Sequence, residues 1–313
     1  MNLTLATSPH IRGDFRTNKI MLDVIIALIP SLVVGVIVLG LRALLVAAVS
    51  VVSAVVFEAL WCLITRRKLT IVDGSAGVTG LLLAMTLPVT VLIWQVIVGN
   101  FFAIIIIKAL FGGLGQNIFN PALAARAFMM LIFPLGITRY PALDGVTSAT
   151  PLHHMVMPAT PNESLLDMFL GRCPGSIGEI SALALLLGGV YLCVRKVISP
   201  RIPLAYISTL AVLSLIFYKT DNVLIWSAYS VLSGGLMLGA IFMATDYVTS
   251  PVTHLGQILY GVGCGALTLI FRYFGLYPEG VTYAILLMNA VAWFIDRYTG
   301  FARFGTKKGG GNK

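Results

Sequence analysis

Residues 20–64 read IMLDVIIALIPSLVVGVIVLGLRALLVAAVSVVSAVVFEALWCLI, and only Asp23, Arg42 and Glu58 carry charge in that stretch. It divides into two runs, 20–39 and 43–64. Each is near the roughly 20 apolar residues that a helix needs to cross about 30 Å of hydrocarbon. Outward from this pair, further runs fall at 74–87, 89–111, 121–136, 177–194, 202–218, 223–243, 255–276 and 280–295. The whole chain of 313 residues is 58% hydrophobic and 11% charged. A soluble domain carries about 25% charged residues, so lipid has to cover the remaining apolar surface. The expected fold is an all-α integral membrane protein with about ten transmembrane helices.

Two runs are short. The third, Gly74 to Leu87, and the fifth, Pro121 to Gly136, are expected to be broken or half-membrane helices. Irregular backbone at membrane depth is tolerated only where protein or a water-filled cavity surrounds it. GVTGLLLAMTLPVT at 77–90 is similar to GLMLGAIFMATDYVTSPVT at 235–253. As third members of two five-helix halves, these segments imply inverted repeats, with a binding site near the midplane. The competing explanation is that Gly-rich membrane helices share a composition.

The formal charge of +9 sits in short clusters between apolar runs and forms no continuous basic face, so a nucleic-acid partner is not expected. With a cytoplasmic N-terminus and all ten runs crossing, 15 of the Lys and Arg residues fall in inner segments and 5 in outer ones. Arg126 lies within a helix. That bias orients the chain with both termini cytoplasmic. The expected organisation is a cytoplasmic segment 1–19, a first membrane half 20–136, an outer loop 137–176, a second half 177–296 and a cytoplasmic tail 297–313. The polar start MNLTLATSPHIRGDF is followed by a run too long for a signal peptide, so no cleaved leader is expected. Cys62, Cys173, Cys193 and Cys264 form no CxxC or CxxH pair, which leaves them as small packing residues rather than metal or cluster ligands.

The outer loop contains Asp144-Gly145-Val146-Thr147-Ser148-Ala149-Thr150-Pro151-Leu152. This stretch resembles the flavin-attachment pattern D-x-x-[ST]-[GS]-A-[TS] of one membrane family. That family comprises the D subunit of the Rnf ferredoxin:NAD oxidoreductase complex and the B subunit of the sodium-pumping NADH:quinone reductase. VDGSAGVTGLLLAMTLP at 72–88, GGLGQNIFNPALAARAF at 112–128 and ATDYVTSPVTHLGQ at 244–257 also look like segments of that family, and the length favours the Rnf branch. The resemblance implies that a flavin transferase joins FMN through its phosphate to Thr150, with Asp144, Thr147, Ser148 and Ala149 as its surroundings. Ser148 stands where the pattern usually has glycine. The resemblance further implies a noncovalent riboflavin, partnership with the other Rnf subunits, notably the FMN-bearing G subunit, and coupling of electron transfer between ferredoxin and NAD to Na⁺ or H⁺ movement. Small side chains suit a hydroxyl that must reach a pyrophosphate, and loop N–H groups can bind phosphate oxygens.

Other polar residues in or beside apolar runs are Asp23, Glu58, Asn100, Arg126 and Asp246. Such groups are costly in hydrocarbon and are therefore paired or functional. Arg126 either makes an ion pair that fixes packing or holds a flavin. Glu58 and Asp246 are candidates for an ion path. Asp23 and Asp246, near expected helix ends, have solvation as the alternative. Asn117 and Asn120 offer amides to a flavin, but Asn120 directly before Pro121 reads foremost as a helix cap. His153 and His154 are adjacent and so do not suggest a metal site. The chain shows no GxGxxG after a strand and no cluster cysteines, so it is not expected to catalyse alone. The alternative function is a channel or transporter for a small polar solute.

Overall fold

The computed structural model describes residues 17–67, 70–138, 140–141, 147–148, 164–171, 173–219, 222–275 and 279–300. Their regular secondary structure is helical apart from one antiparallel bridge, in which β1 (Tyr140–Pro141) pairs with β2 (Thr147–Ser148). Helices α1 (Thr17–Leu39) and α2 (Leu41–Ile64) meet at Gly40, whose φ of 85° suits a residue without a side chain. Next come α3 (Ser75–Met85) and α4 (Ile93–Phe101), which continues as a π-helix over Phe102–Ala109. Helix α5 (Pro121–Ile132) is followed by the single turn α6 (Pro134–Ile137). After the short α7 (Leu165–Leu170) come α8 (Ala182–Val194), α9 (Arg201–Ile216) and α10 (Val223–Leu232). The chain then forms α11 (Leu236–Leu238), continued by a π-helix over Gly239–Met243, and ends its described part with α12 (His254–Phe274) and α13 (Val281–Thr299).

Each of the ten apolar runs holds helix. By length and composition, α1, α2 and α12 are long and apolar enough to cross a membrane, and α10 with α11 forms a fourth candidate bent by 61°. The bend was not expected in the single run 223–243. It arises where Ser233 leaves helical geometry and Gly234 and Gly235 take positive φ. The short third and fifth runs are short helices, as expected: α3 has 11 residues and α5 has 12.

Every residue of α3 is buried, so this half-length helix lies in the middle of the protein. Its last carbonyls would be orphaned in lipid. Non-helical backbone answers them: Gly178 N–H donates to Met85 O (2.8 Å) and Ile177 N–H to Leu87 O (3.1 Å). Ser31 of α1 in turn donates to Gly178 O (3.1 Å). Small residues set the close crossings. A Cβ on Gly80 of α3 would lie 2.7 Å from Ser50 O of α2, and one on Gly261 of α12 would lie 2.7 Å from the Ala205 Cβ of α9. Without a hydrophobic drive between helices in lipid, such close backbone packing supplies the association energy.

Candidate functional site

Glu58 of α2 is buried and accepts from Lys108 Nζ at 2.8 Å. Lys108 lies in the π-helical end of α4, itself buried, and also donates to Ser75 Oγ at 2.7 Å, at the start of α3. Thr70 Oγ1 donates to the same Glu58 oxygen at 3.0 Å. A cavity of about 300 Å³ opens on this network, lined by Glu58, Thr70, Asp73, Arg67 and Lys108 among others. The charge count placed Lys108 with the inner loop charges and Arg272 with the outer ones. Both are buried inside the protein instead, one from each side of the count, so the charge bias stands.

A second cavity, of about 80 Å³, lies between residues of α1, α3 and the start of α5 on one side and residues 192–248 on the other. Ser75 and Thr79 of α3, Lys108, Asn117, Asn120 and Asp246 give it polar walls. Two helices begin there, α3 and α5. Asn120 caps α5, its Oδ1 accepting from Ala122 N–H (3.0 Å) and Leu123 N–H (3.3 Å), while Nδ2 donates to Met243 O (3.2 Å). Capping thus accounts for Oδ1, the reading put first for Asn120. Asn117 Nδ2 donates to Phe119 O at 3.1 Å. Asp246, just beyond the second π-helix, accepts from Thr249 Oγ1 at 3.3 Å.

At the other face of α5, Arg126 is buried between two carboxylates. Its Nη1 donates to Glu179 Oε1 at 3.3 Å and its Nη2 to Glu279 Oε2. Tyr140 of β1 donates its phenol to the other oxygen of Glu279. Glu179 sits against the start of α11, since a Cβ on Gly235 would collide with its Oε1. Arg272 of α12 donates to the carbonyls of Ser230, Ser233 (2.8 Å) and Gly234 (3.2 Å), which end α10. The break between α10 and α11 therefore has a cation at its carbonyl end and a carboxylate at its N–H end, each matching the local helix dipole.

Of the expected site residues, Glu58 and Arg126 are ion-paired, while Asp246 and Asn117 line one cavity with Lys108. The solvated alternative for Asp23 is corrected: it is buried, accepting from Tyr191 (2.9 Å) and Arg195 (3.2 Å). Asn100 donates to Ser50 Oγ (2.9 Å), a packing contact between α4 and α2. Thr147 and Ser148 form strand β2; Asp144, Ala149, Thr150, His153 and His154 lie outside the described residues. Among the described residues there is no group of His, Cys, Asp or Glu able to hold a metal, and none of the four cysteines is in a disulfide. Sequence reasoning missed Lys108, Glu179, Glu279, Tyr140 and Arg272 as site members. A usable signal was there: a buried Arg126 demands acidic partners, and Glu179 and Glu279 are two of the few acids flanking later apolar runs.

The arrangement is one of half-helices, occupied caps and two mainly apolar cavities with polar groups in their walls. The family model for NQR2, RnfD and RnfE matches residues 4–305. The chain belongs to this family. The D subunit of the Na(+)-translocating ferredoxin:NAD(+) oxidoreductase complex of Acetobacterium woodii is 48% identical, over 98% of this chain and 97% of the relative. The D subunit of the proton-translocating ferredoxin:NAD(+) oxidoreductase complex of Clostridium ljungdahlii is 43% identical, over 97% of each. The D subunit of the ion-translocating oxidoreductase complex of Stutzerimonas stutzeri is 37% identical, over 90% of each. Two similar NQR2/RnfD/RnfE relatives are thus named for different coupling ions.

Proposed function

We propose that this chain is the membrane electron-carrying D subunit of an ion-translocating ferredoxin:NAD oxidoreductase complex, with FMN joined through its phosphate to Thr150. The observation that carries this reading is 48% identity along nearly the full chain to the D subunit of such a complex. The Asp144–Thr150 pattern in the outer loop supports the flavin attachment. The bridge of Tyr140 with Ser148 ties the described part of that loop to the buried Arg126 cluster. Asp144, Thr147, Ser148 and Ala149 then surround the attachment point, and Arg126 steadies its base through Glu279 and Tyr140.

In this reading the flavin transferase matures the subunit, the other Rnf subunits, including the G subunit, exchange electrons with it, and ferredoxin and NAD are handled by partners. About ten membrane crossings in two inverted halves, with both termini cytoplasmic, complete it. Glu58 and Asp246 lie on the ion path, at the two cavities that share Lys108. A noncovalent riboflavin is the second carrier. Asn117 keeps amide capacity for it, but at about 80 Å³ the cavity beside Asn117 holds two or three waters and must widen to take a tricyclic ring.

The test is to express the chain with a flavin transferase and view a denaturing gel under ultraviolet light. Covalent flavin fluoresces after denaturation, and a pocket-bound flavin is lost. Thr150→Val removes the attacking hydroxyl at nearly constant shape and is expected to abolish the band and ferredoxin-to-NAD transfer, while Thr147→Val keeps both. Flavin mapped to Thr147 or Ser148 would show the pattern out of register. No modified residue in the loop would sink the electron-carrier reading. The two cavities, with polar groups in their walls, would then favour a small-solute channel or transporter.

A further inference from the structure

Lys108 is a wall of both cavities. On one side it meets Glu58, whose Oε1 already takes Lys108 and Thr70 while Oε2 is buried without a hydrogen-bond partner. A buried carboxylate oxygen left open is costly and calls for a ligand. Glu58 is 6% exposed and lines the cavity of about 300 Å³, which has room for roughly ten waters. On the other side, Lys108 shares the smaller cavity with Asp246, which has no ion pair among the described residues.

We propose that Lys108 is a tethered cation that competes with a translocated monovalent cation for Glu58 and, once displaced, turns into the smaller cavity toward Asp246. The inference rests on the ion-translocation reading above. A lysine suits the role because its ammonium is a compact charge on a flexible four-carbon stem, whereas a guanidinium locks onto a carboxylate by two points. The exchange is one for one. A buried carboxylate without a counter-charge costs several kcal/mol, so Lys108 leaves Glu58 only as another cation arrives, and returns as that cation departs. The π-helix that carries Lys108 is a strained form of helix common at functional sites, and Ser75 holds the ammonium at the partition. The remaining ionisable neighbours are Cys62, Arg67 and Asp73 at the larger cavity and Asp246 and Tyr247 at the smaller.

The experiment uses the assembled complex in inverted membrane vesicles and reads ferredoxin-dependent NAD reduction together with ²²Na⁺ uptake. Lys108→Gln removes the competitor. In a Na⁺-coupled complex the apparent KM for Na⁺ is expected to fall about tenfold at fixed pH, and Na⁺ taken up per electron to fall at least threefold as the partition leaks. In a proton-coupled complex the Na⁺ titration is flat. There, proton uptake per electron, read with a pH-sensitive dye, is expected to fall at least threefold as the partition leaks. Lys108→Arg is expected to raise the apparent KM for Na⁺ at least threefold or, in a proton-coupled complex, to slow ferredoxin-dependent NAD reduction at least threefold. If Lys108→Gln does not assemble, Lys108→Arg and the neutral Glu58→Gln/Lys108→Gln pair decide, the pair being expected to assemble and lose ion dependence. Wild-type ion dependence and coupling in the assembled Lys108 variants would overturn the proposal. A wild-type complex with no ion-dependent NAD reduction would instead sink the underlying functional reading.

Discussion

Arg126 and Arg195 make ion pairs of nearly equal length, 3.3 Å to Glu179 and 3.2 Å to Asp23, yet their removal is expected to have unequal effects. The Arg126 side chain is 4% exposed and its partners Glu179 and Glu279 are 6% and 10% exposed. Arg126→Met leaves two carboxylates facing each other out of water. Breaking one such buried pair costs about 3–5 kcal/mol, so a loss of at least about 4 kcal/mol is expected here. Arg195 is 54% exposed, and Tyr191 still donates to Asp23 after Arg195→Met, so that loss is expected to be about 1 kcal/mol or less. Neutralising the whole cluster with Arg126→Met, Glu179→Gln and Glu279→Gln together is expected to recover most of the stability, because no charge is then stranded. Unfolding by titration with a denaturing detergent in mixed micelles measures all three variants against the parent. An Arg126→Met loss within about 1 kcal/mol of Arg195→Met, or a triple variant no better than the single, would refute the assignment of buried charge as the deciding quantity.

Asn120→Ala is expected to cost about 1–2 kcal/mol through the lost cap, plus the unanswered Met243 carbonyl, while Asn120→Asp keeps the cap; the same titration separates the two. Gly80→Val places a branched side chain where even a Cβ would lie 2.7 Å from Ser50 O, so α2 and α3 must separate, and the thermal midpoint of the solubilised protein is expected to drop by several degrees. An unchanged midpoint would mean that the crossing is not tight. Single cysteines placed in 140–170 are expected to react with an impermeant reagent added from outside, and those in 66–70 or 305–313 to react only after permeabilisation. Outside labelling near the C-terminus would reverse the orientation.

The sequence by itself determined that the chain lives in lipid, because apolar runs of membrane length and sparse charge admit little else. It also marked α3 and α5 as short helices, and the Asn120-Pro121 start of α5, since length and capping chemistry are local properties. Its family resemblance, carried by segments such as GGLGQNIFNPALAARAF, agrees with the family match over 4–305. Tertiary structure decided who partners whom. Glu58 and Lys108 are 50 residues apart, and Arg126 and Glu279 are 153 apart, separations across which no periodicity carries information. The bend between α10 and α11 was hidden for the same reason: Ser233-Gly234-Gly235 interrupts an apolar run without shortening it, and the break persists because Arg272 and Glu179 arrive from elsewhere in the chain to satisfy its two ends.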